Sequence, residues 1–375
     1  MSEYWNSRTK NLSPYTPGEQ PRDRQFAKLN TNENPYPPSP KVIEAIRKAA
    51  GESLRLYPDP GCGEFREAVA ARYGVRPEQV FAGNGSDEVL AFAFGAFFES
   101  GENSEKIFFP DITYSFYPVY ANLWNIPYRT IPLGGDFSIN TAGYKTDCGG
   151  VVFPNPNAPT GMAVPLCDIL SLAEYLAKQG KVFILDEAYI AFGANSGKSQ
   201  AAESAVPHIG NHPNLLTVHT LSKSASLAGL RAGFAIGDEK LIEGLCRVRD
   251  SFNSYTLDRL ALAGAAAAVS DAAYYGEANR RIIATRERVA GALRGLGFTV
   301  LPSAANFVFI KAPGAKAPGA EVPCVGGAEF FSALRQRGIL VRHFNKERIA
   351  DYLRVSIGTD EEMDAFLGAC REIIS

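Results

Sequence analysis

Little in this chain suggests a metal, a disulfide framework or a membrane. It has no C-x-x-C pair, and Cys62, Cys148, Cys167, Cys246, Cys324 and Cys370 are scattered without metal-ligand spacing. That distribution suits free thiols in a reducing compartment. His208 and His212 stand four apart, but Gly210 and Pro213 disrupt the helix that would set them on one face, so no metal site is expected. No apolar run approaches the ~20 residues of a membrane span; the nearest, Ala261–Val269, is short and alanine-rich. The opening MSEYWNSRTKNLSPYTPGEQPRDRQ lacks the apolar segment of a signal peptide, and a cytoplasmic location is expected. Charge of one sign is missing too: Lys+Arg 38 stand against Asp+Glu 40, net −2, with no basic tail. Nucleic-acid binding therefore has no electrostatic support, and small molecules are the expected partners.

What is present is an ordinary globular composition, 46% hydrophobic and 21% charged, over 375 residues. That length exceeds what one core usually supports, so two domains are expected. Residues 1–38, rich in Pro, Asn and Tyr and without periodicity, read as an arm across a surface, joining the smaller domain. Ser39 and Pro40 then open a helix as N-cap and first-turn residue. Over 39–270, helical patterns (Gly63–Tyr73, Ser86–Glu99, Leu166–Gln179, Glu239–Arg249) alternate with short apolar runs. Those runs are Gln79–Ala82, Lys106–Phe109, Gly150–Phe153, Val182–Leu185, Leu215–His219 and Ala232–Ile236. Alternation of this kind predicts an α/β domain with a mostly parallel sheet. Over 271–375 the pattern changes to a smaller α+β domain. It holds a charged helix at Glu277–Leu293, short strands, a Pro/Gly/Ala-rich loop at Ala312–Gly327 and a terminal helix from Thr359.

Five short motifs carry chemistry. KVFILDEAY ends an apolar run in Asp186, a carboxylate at the edge of an open sheet where ligands bind. It caps the next turn or meets a cationic ring nitrogen. TLSKSASLAGLRAG sets Ser222, Lys223, Ser224, Ser226, Gly229 and Arg231 in a small-residue loop after a strand. Guanidinium and hydroxyls there suit phosphate oxygens, and Lys223 is either a counter-charge or an amine nucleophile. GNGSDE, with Gly83, Gly85, Ser86 and Asp87, starts a helix whose free N–H groups form an anion cradle or a plain cap. Tyr114 in FPDITYSFY packs in the core or stacks on a planar ligand, and Asn155 and Asn157 in PNPNAPTG form a turn or donate to a ligand. One molecule satisfies all five demands: pyridoxal 5′-phosphate, with its phosphate, aldehyde and protonated ring nitrogen.

The chain resembles the fold-type I, class-II pyridoxal-phosphate-dependent aminotransferases, in particular their histidinol-phosphate branch. The resemblance rests on LSPYTPGEQP, LNTNENPYPPSP, RLYPDPG, GNGSDE, PNAPTG, LDEAY, TLSKSASLAGLRAG and LRVSIGT, which span nearly the whole chain. It implies a large domain with a mostly parallel seven-stranded sheet, a smaller α+β domain, and amino-group exchange between histidinol phosphate and 2-oxoglutarate, with glutamate as the other product. It implies that Lys223 joins the cofactor aldehyde, Asp186 pairs with the ring nitrogen, Tyr189 bonds the ring's phenolic oxygen and Tyr114 stacks on its face. Gly85, Ser86, Asp87, Ser222 and Arg231 would hold the phosphate, and Tyr57 would reach the cofactor of a second copy, so a homodimer is implied. Tyr15, Asn34, Arg342 and Arg354 fall where the family binds substrate. Relatives carry Asn immediately before Pro-Thr-Gly; Ala158 stands there in this chain, and Asn157 or a water is expected in its place. An aromatic amino acid aminotransferase or a threonine-phosphate decarboxylase of the same fold shares these cofactor residues. A nucleotide-binding oxidoreductase using Gly83–Asp87 would lack its third glycine and leave Lys223 and Asp186 unexplained.

Overall fold

The computed structural model describes residues 3–16, 18–20, 26–193, 201–313 and 326–375. Most of the Pro/Gly/Ala-rich loop, with Cys324, lies outside the described residues, as does Pro17. In chain order the strands are β1 (Ala27–Lys28), β2 (Val80–Gly83), β3 (Ile107–Pro110), β4 (Tyr128–Ile131), β5 (Gly150–Pro154), β6 (Phe183–Asp186) and β7 (Leu215–Thr220). They continue with β8 (Gly233–Ile236), β9 (Thr299–Val300), β10 (Phe307–Lys311), β11 (Ile339–Leu340), β12 (Arg342–His343) and β13 (Tyr352–Ser356).

The large sheet runs β2-β8-β7-β6-β5-β3-β4. Its pairs are parallel except at β8, which is antiparallel to both β2 and β7. Every residue of β2, β3, β5, β6, β7 and β8 is buried. Helices cover both faces of such a sheet, which is why its strands read as continuous apolar runs. Register fixes the site: Pro154 lies opposite Asp186, and Asp186 opposite Val218, so three strands end on one edge.

The expected elements appear with their ends moved by one to a few residues. Several elements were missed, among them the helix Ser7–Asn11 and strand β1 in the arm, and the expected strand Ile339–Arg342 is two, β11 and β12, in different sheets. The edge strand β4 reads Tyr-Arg-Thr-Ile, with Arg129 and Thr130 exposed, so it shows no apolar run. The helix Tyr117–Trp124 lies inside an aromatic stretch without clear periodicity. The alanine-rich run is the heart of a helix, Arg259–Ser270, capped by Asp258, whose side chain accepts from the Ala261 N–H. Small residues there let helices pack closely: a Cβ on Gly264 would lie 2.6 Å from Leu230 Cδ2 and 3.1 Å from Ile46. A helix lined with alanine shows little contrast between its faces, which hides it from a periodicity reading.

Beyond Ser270 a four-stranded antiparallel sheet, β12-β13-β10-β9, carries its own core, including Phe307, Val355, Met363, Phe366, Ile282 and Leu293. The helices Ala272–Gly295, Gly327–Gln336 and Asp360–Ile374 pack on this part. The arm is tied to it: β1 pairs in parallel with β11, and Leu29 is buried in the same core. Among the described residues no helix is long and apolar enough to cross a membrane.

Candidate active site

A cavity of ≈ 160 Å³ opens at the edge where β5, β6 and β7 end, lined by Asp186, Tyr189, Lys223, Arg231, Ser86 and Asp87 among others. Wider hollows lie elsewhere, one of ≈ 780 Å³ beside Ser7–Leu12 and Trp124. It holds no lysine and no buried carboxylate, so size does not mark the chemistry.

Asp186 is the last residue of β6 and is only 4% exposed. Its Oδ1 accepts from the Ala188 N–H at 3.1 Å and its Oδ2 from the Tyr117 hydroxyl at 3.1 Å. Burial pushes its carboxyl up to about 6 despite those donors, the behaviour of a carboxylate still short of a cation. Lys223 sits on the short helix Leu221–Ser224 that follows β7, and its Nζ donates to the Thr31 carbonyl at 3.0 Å. Burial, with the Arg354 charge added, pulls its ammonium down to about 8. An amine held there has a substantial neutral, nucleophilic fraction near physiological pH.

The anion cradle is built from close backbone approach. Gly85 has φ +75°, and a Cβ on it would lie 2.6 Å from Arg231 Nη2. A Cβ on Gly233, in β8, would lie 2.5 Å from Ser86 N and from Gly85 C. Both positions therefore require glycine for the helix start and Arg231 to meet. Arg231, itself at φ +57°, donates to Asp87 Oδ2 at 3.0 Å and reaches Ser222 Oγ at 3.5 Å. Tyr114 also lines the cavity, with its hydroxyl donating to Asp87 Oδ1 at 2.7 Å.

A second cationic group stands on the small sheet. Arg342 and Arg354 are register partners on β12 and β13, and neither forms an ion pair within the described residues. Arg354 Nη2 donates to the Asn30 carbonyl at 2.9 Å, while its buried Nε has no hydrogen-bond partner. Two adjacent guanidiniums with donors to spare suit an anionic ligand. Tyr15, on the arm, stacks on Phe116 at 4.2 Å and is among the groups whose field reaches Arg354.

Seven expected residues do not line the cavity: Gly85, Tyr15, Arg342 and Arg354, described above, and Asn157, Asn34 and Tyr57. The Asn157 carboxamide is fully buried and committed: Nδ2 donates to the Ile112 carbonyl and Thr160 Oγ1, and Oδ1 accepts from Thr113. It does not line the cavity; Ala158 does. Asn34 donates to the backbone carbonyl of Lys223 at 3.0 Å and is likewise absent from the cavity lining. Tyr57 is 78% exposed, stacked on Tyr255 at 4.6 Å, so a single chain does not bring it to the cavity. Conversely, Thr31, Glu33, Asn32 and Tyr117 touch the site or its lining residues and escaped the reading of individual residues. Tyr117 stood three residues from Tyr114 in the same motif; the arm residues carried no local signal beyond the resemblance.

Amine, orphaned carboxylate and glycine-built anion cradle at one sheet edge fit pyridoxal 5′-phosphate and define a cofactor-dependent enzyme of fold type I. The Aminotransferase class I and II family matches residues 24–369. The chain is 52% identical over 375 residues to a histidinol-phosphate aminotransferase of Clostridium acetobutylicum, covering 100% of both. It is 50% identical over 374 residues to one from Acetobacter pasteurianus, covering 100% of this chain and 99% of that one. The crystal structure of histidinol-phosphate aminotransferase from Sinorhizobium meliloti in complex with pyridoxal-5′-phosphate shares the fold at a TM-score of 0.85. It is 24% identical, over 100% of this chain and 98% of that one. The chain belongs to the aminotransferase class I and II family and is a pyridoxal-phosphate-dependent transaminase.

Proposed function

We infer that the enzyme moves an amino group between L-histidinol phosphate and 2-oxoglutarate, giving imidazole-acetol phosphate and glutamate, a step of histidine synthesis in the cytoplasm. The observation that carries this reading is half-identity along the full length of relatives bearing that name. The paired Arg342 and Arg354, without an ion pair among the described residues, support an anionic substrate.

When bound, pyridoxal phosphate supplies an aldehyde for the amino group and an electron-withdrawing ring. In this reading Lys223 Nζ would hold the cofactor through its aldehyde and, once an incoming amine replaces it there, would carry the proton off the substrate's α carbon and deliver it to the former aldehyde carbon, as base and then acid. Its lowered basicity suits both jobs. Asp186 holds a proton on the ring nitrogen, and the ion pair relieves the burial cost visible in its raised carboxyl. Gly85, the backbone amides of Ser86 and Asp87, Ser222 and Arg231 would hold the phosphate, Tyr114 would cover the ring face, and Tyr189 would donate to the ring oxygen. Arg231, which donates one Nη2 hydrogen bond to Asp87, has further N–H groups for the phosphate. Arg342, Arg354 and Tyr15 orient the substrate's anionic end.

The proposed working unit is a homodimer, in which Tyr57 of one copy reaches the phosphate in the other. Leu54, Leu56, Tyr57, Tyr255 and Phe252 are exposed apolar side chains, more than a stable monomer normally presents in one region. The proposed division places the arm at 1–38, the large domain at 39–270 and the small domain at 271–375.

The visible spectrum of the holoenzyme tests the reaction. Histidinol phosphate should bleach the yellow band, and 2-oxoglutarate should restore it. A band indifferent to histidinol phosphate but bleached by phenylalanine, or carbon dioxide released from phosphothreonine, would replace this substrate with another.

A further inference from the structure

Two tyrosines line the cavity, and their hydroxyls face opposite duties. Tyr114 donates a hydrogen bond to Asp87. Tyr189 instead accepts: Asn32 Nδ2 donates to its oxygen at 2.9 Å. The orientation of that carboxamide is fixed by its neighbours. Ser356 Oγ accepts the Asn32 backbone N–H at 2.8 Å, so its single hydrogen goes to Asn32 Oδ1 at 2.9 Å. Only Nδ2 is left to face the phenol. Asn32 is buried, 1% exposed, and stands at φ +55°, a conformation asparagine tolerates better than most side chains. Its carbonyl accepts from Asn306 Nδ2 at 3.0 Å, so the residue is clamped by two side chains of the smaller part of the molecule.

We propose that Asn32 is a positioning residue that, by filling an acceptor lone pair of Tyr189, turns the phenol hydrogen into the cavity toward the anionic ring oxygen of the bound cofactor. No hydrogen bond donated by Tyr189 to a protein group competes for that hydrogen among the described residues. At the turn after β5, Ala158 presents a methyl group to the cavity and the Asn157 carboxamide is spent on Ile112, Thr160 and Thr113. Asn32 thus ties the direction of the Tyr189 hydrogen to Ser356 and Asn306. The inference deepens the proposed function and rests on its cofactor assignment.

The test titrates the visible band of the holoenzyme with pH. A donor to an anionic oxygen favours its deprotonated state, so weakening that donor raises the midpoint. Asn32→Ala should raise it by about half a pH unit to one unit, a modest fraction of a charge-assisted bond. Asn32→Asp should shift it further, since the phenol then donates to the new carboxylate although side-chain size is kept. In a Tyr189→Phe background Asn32→Ala should not move the midpoint again. Turnover in Asn32→Ala should fall roughly tenfold with KM nearly unchanged, as for an interaction that matters mainly in the reacting state. A midpoint that stays put while Tm drops would overturn the proposal in favour of a purely structural role. An Asn32→Ala shift that persists in the Tyr189→Phe background would overturn it as well. Absence of any visible band in the unmodified protein would instead remove the cofactor reading beneath it.

Discussion

The two walls of the cavity are built differently. One is the carboxyl edge of the large sheet, where Asp186, Lys223, Arg231 and Gly85 each sit within a few residues of a strand end. The other is the arm, whose Thr31 and Glu33 line the cavity and which the small sheet holds in place: Asn32 meets Ser356 across 324 positions of sequence and Arg354 meets Asn30 across the same span. The first wall is set by strand register and glycine geometry and holds the groups of the chemistry. The second depends on two parts of the chain being brought together, and carries the substrate's grip and the aim of Tyr189. Damage to the first should strike turnover or cofactor binding; damage to the second should strike KM or the fine position of a proton.

The largest effect is expected at Lys223. Lys223→Ala should fold, bind the cofactor noncovalently, and lose turnover by on the order of 10⁴-fold or more, since both covalent and proton-transfer roles go. Near-normal activity would break the division between walls at its strongest point. On the opposite wall, Arg354→Ala should raise KM for an anionic substrate by roughly 10- to 100-fold, the worth of a hydrogen bond to a charged group, with a smaller change in kcat. Steady-state kinetics decide, and a loss confined to kcat would contradict the assignment. Gly233→Ala touches no ligand, but its Cβ would press on Gly85 and Ser86. It should weaken cofactor affinity about tenfold, read by equilibrium dialysis; unchanged affinity would show that the cradle tolerates displacement.

The smallest effect is a pH dependence of the cofactor-free protein. Lys223 titrates near 8 when folded and near 10.5 when unfolded, so unfolding takes up a proton between those values. Stability should therefore rise as pH climbs from about 8 toward 10.5, with the burial penalty complete below 8. Lys223→Met should remove this slope and raise Tm at neutral pH. An identical slope in that variant would assign it to other groups.

The same contrast explains what could be read from sequence. Strands with both faces buried leave unbroken apolar runs, so six of the seven large-sheet strands and the Asp186 and Lys223 placements were legible. Strand β4 was not, because an edge strand with exposed Arg129 and Thr130 has no apolar signature. Asn157 was placed in the cavity on adjacency to Ala158, yet in that tight turn its carboxamide satisfies Ile112 and Thr160 instead. Asn32 was invisible because its role lies in a contact with Tyr189, 157 positions away. Local pattern reports what a strand end presents, and it is silent on what a distant segment aims at it.

The central claim is a covalent bond at one amine, and trapping it is the direct test. Borohydride reduction of the holoenzyme, followed by proteolysis and mass spectrometry, should place a single pyridoxyl adduct on the peptide containing Lys223. An adduct on any other lysine, or none in protein that turns substrate over, would contradict the account.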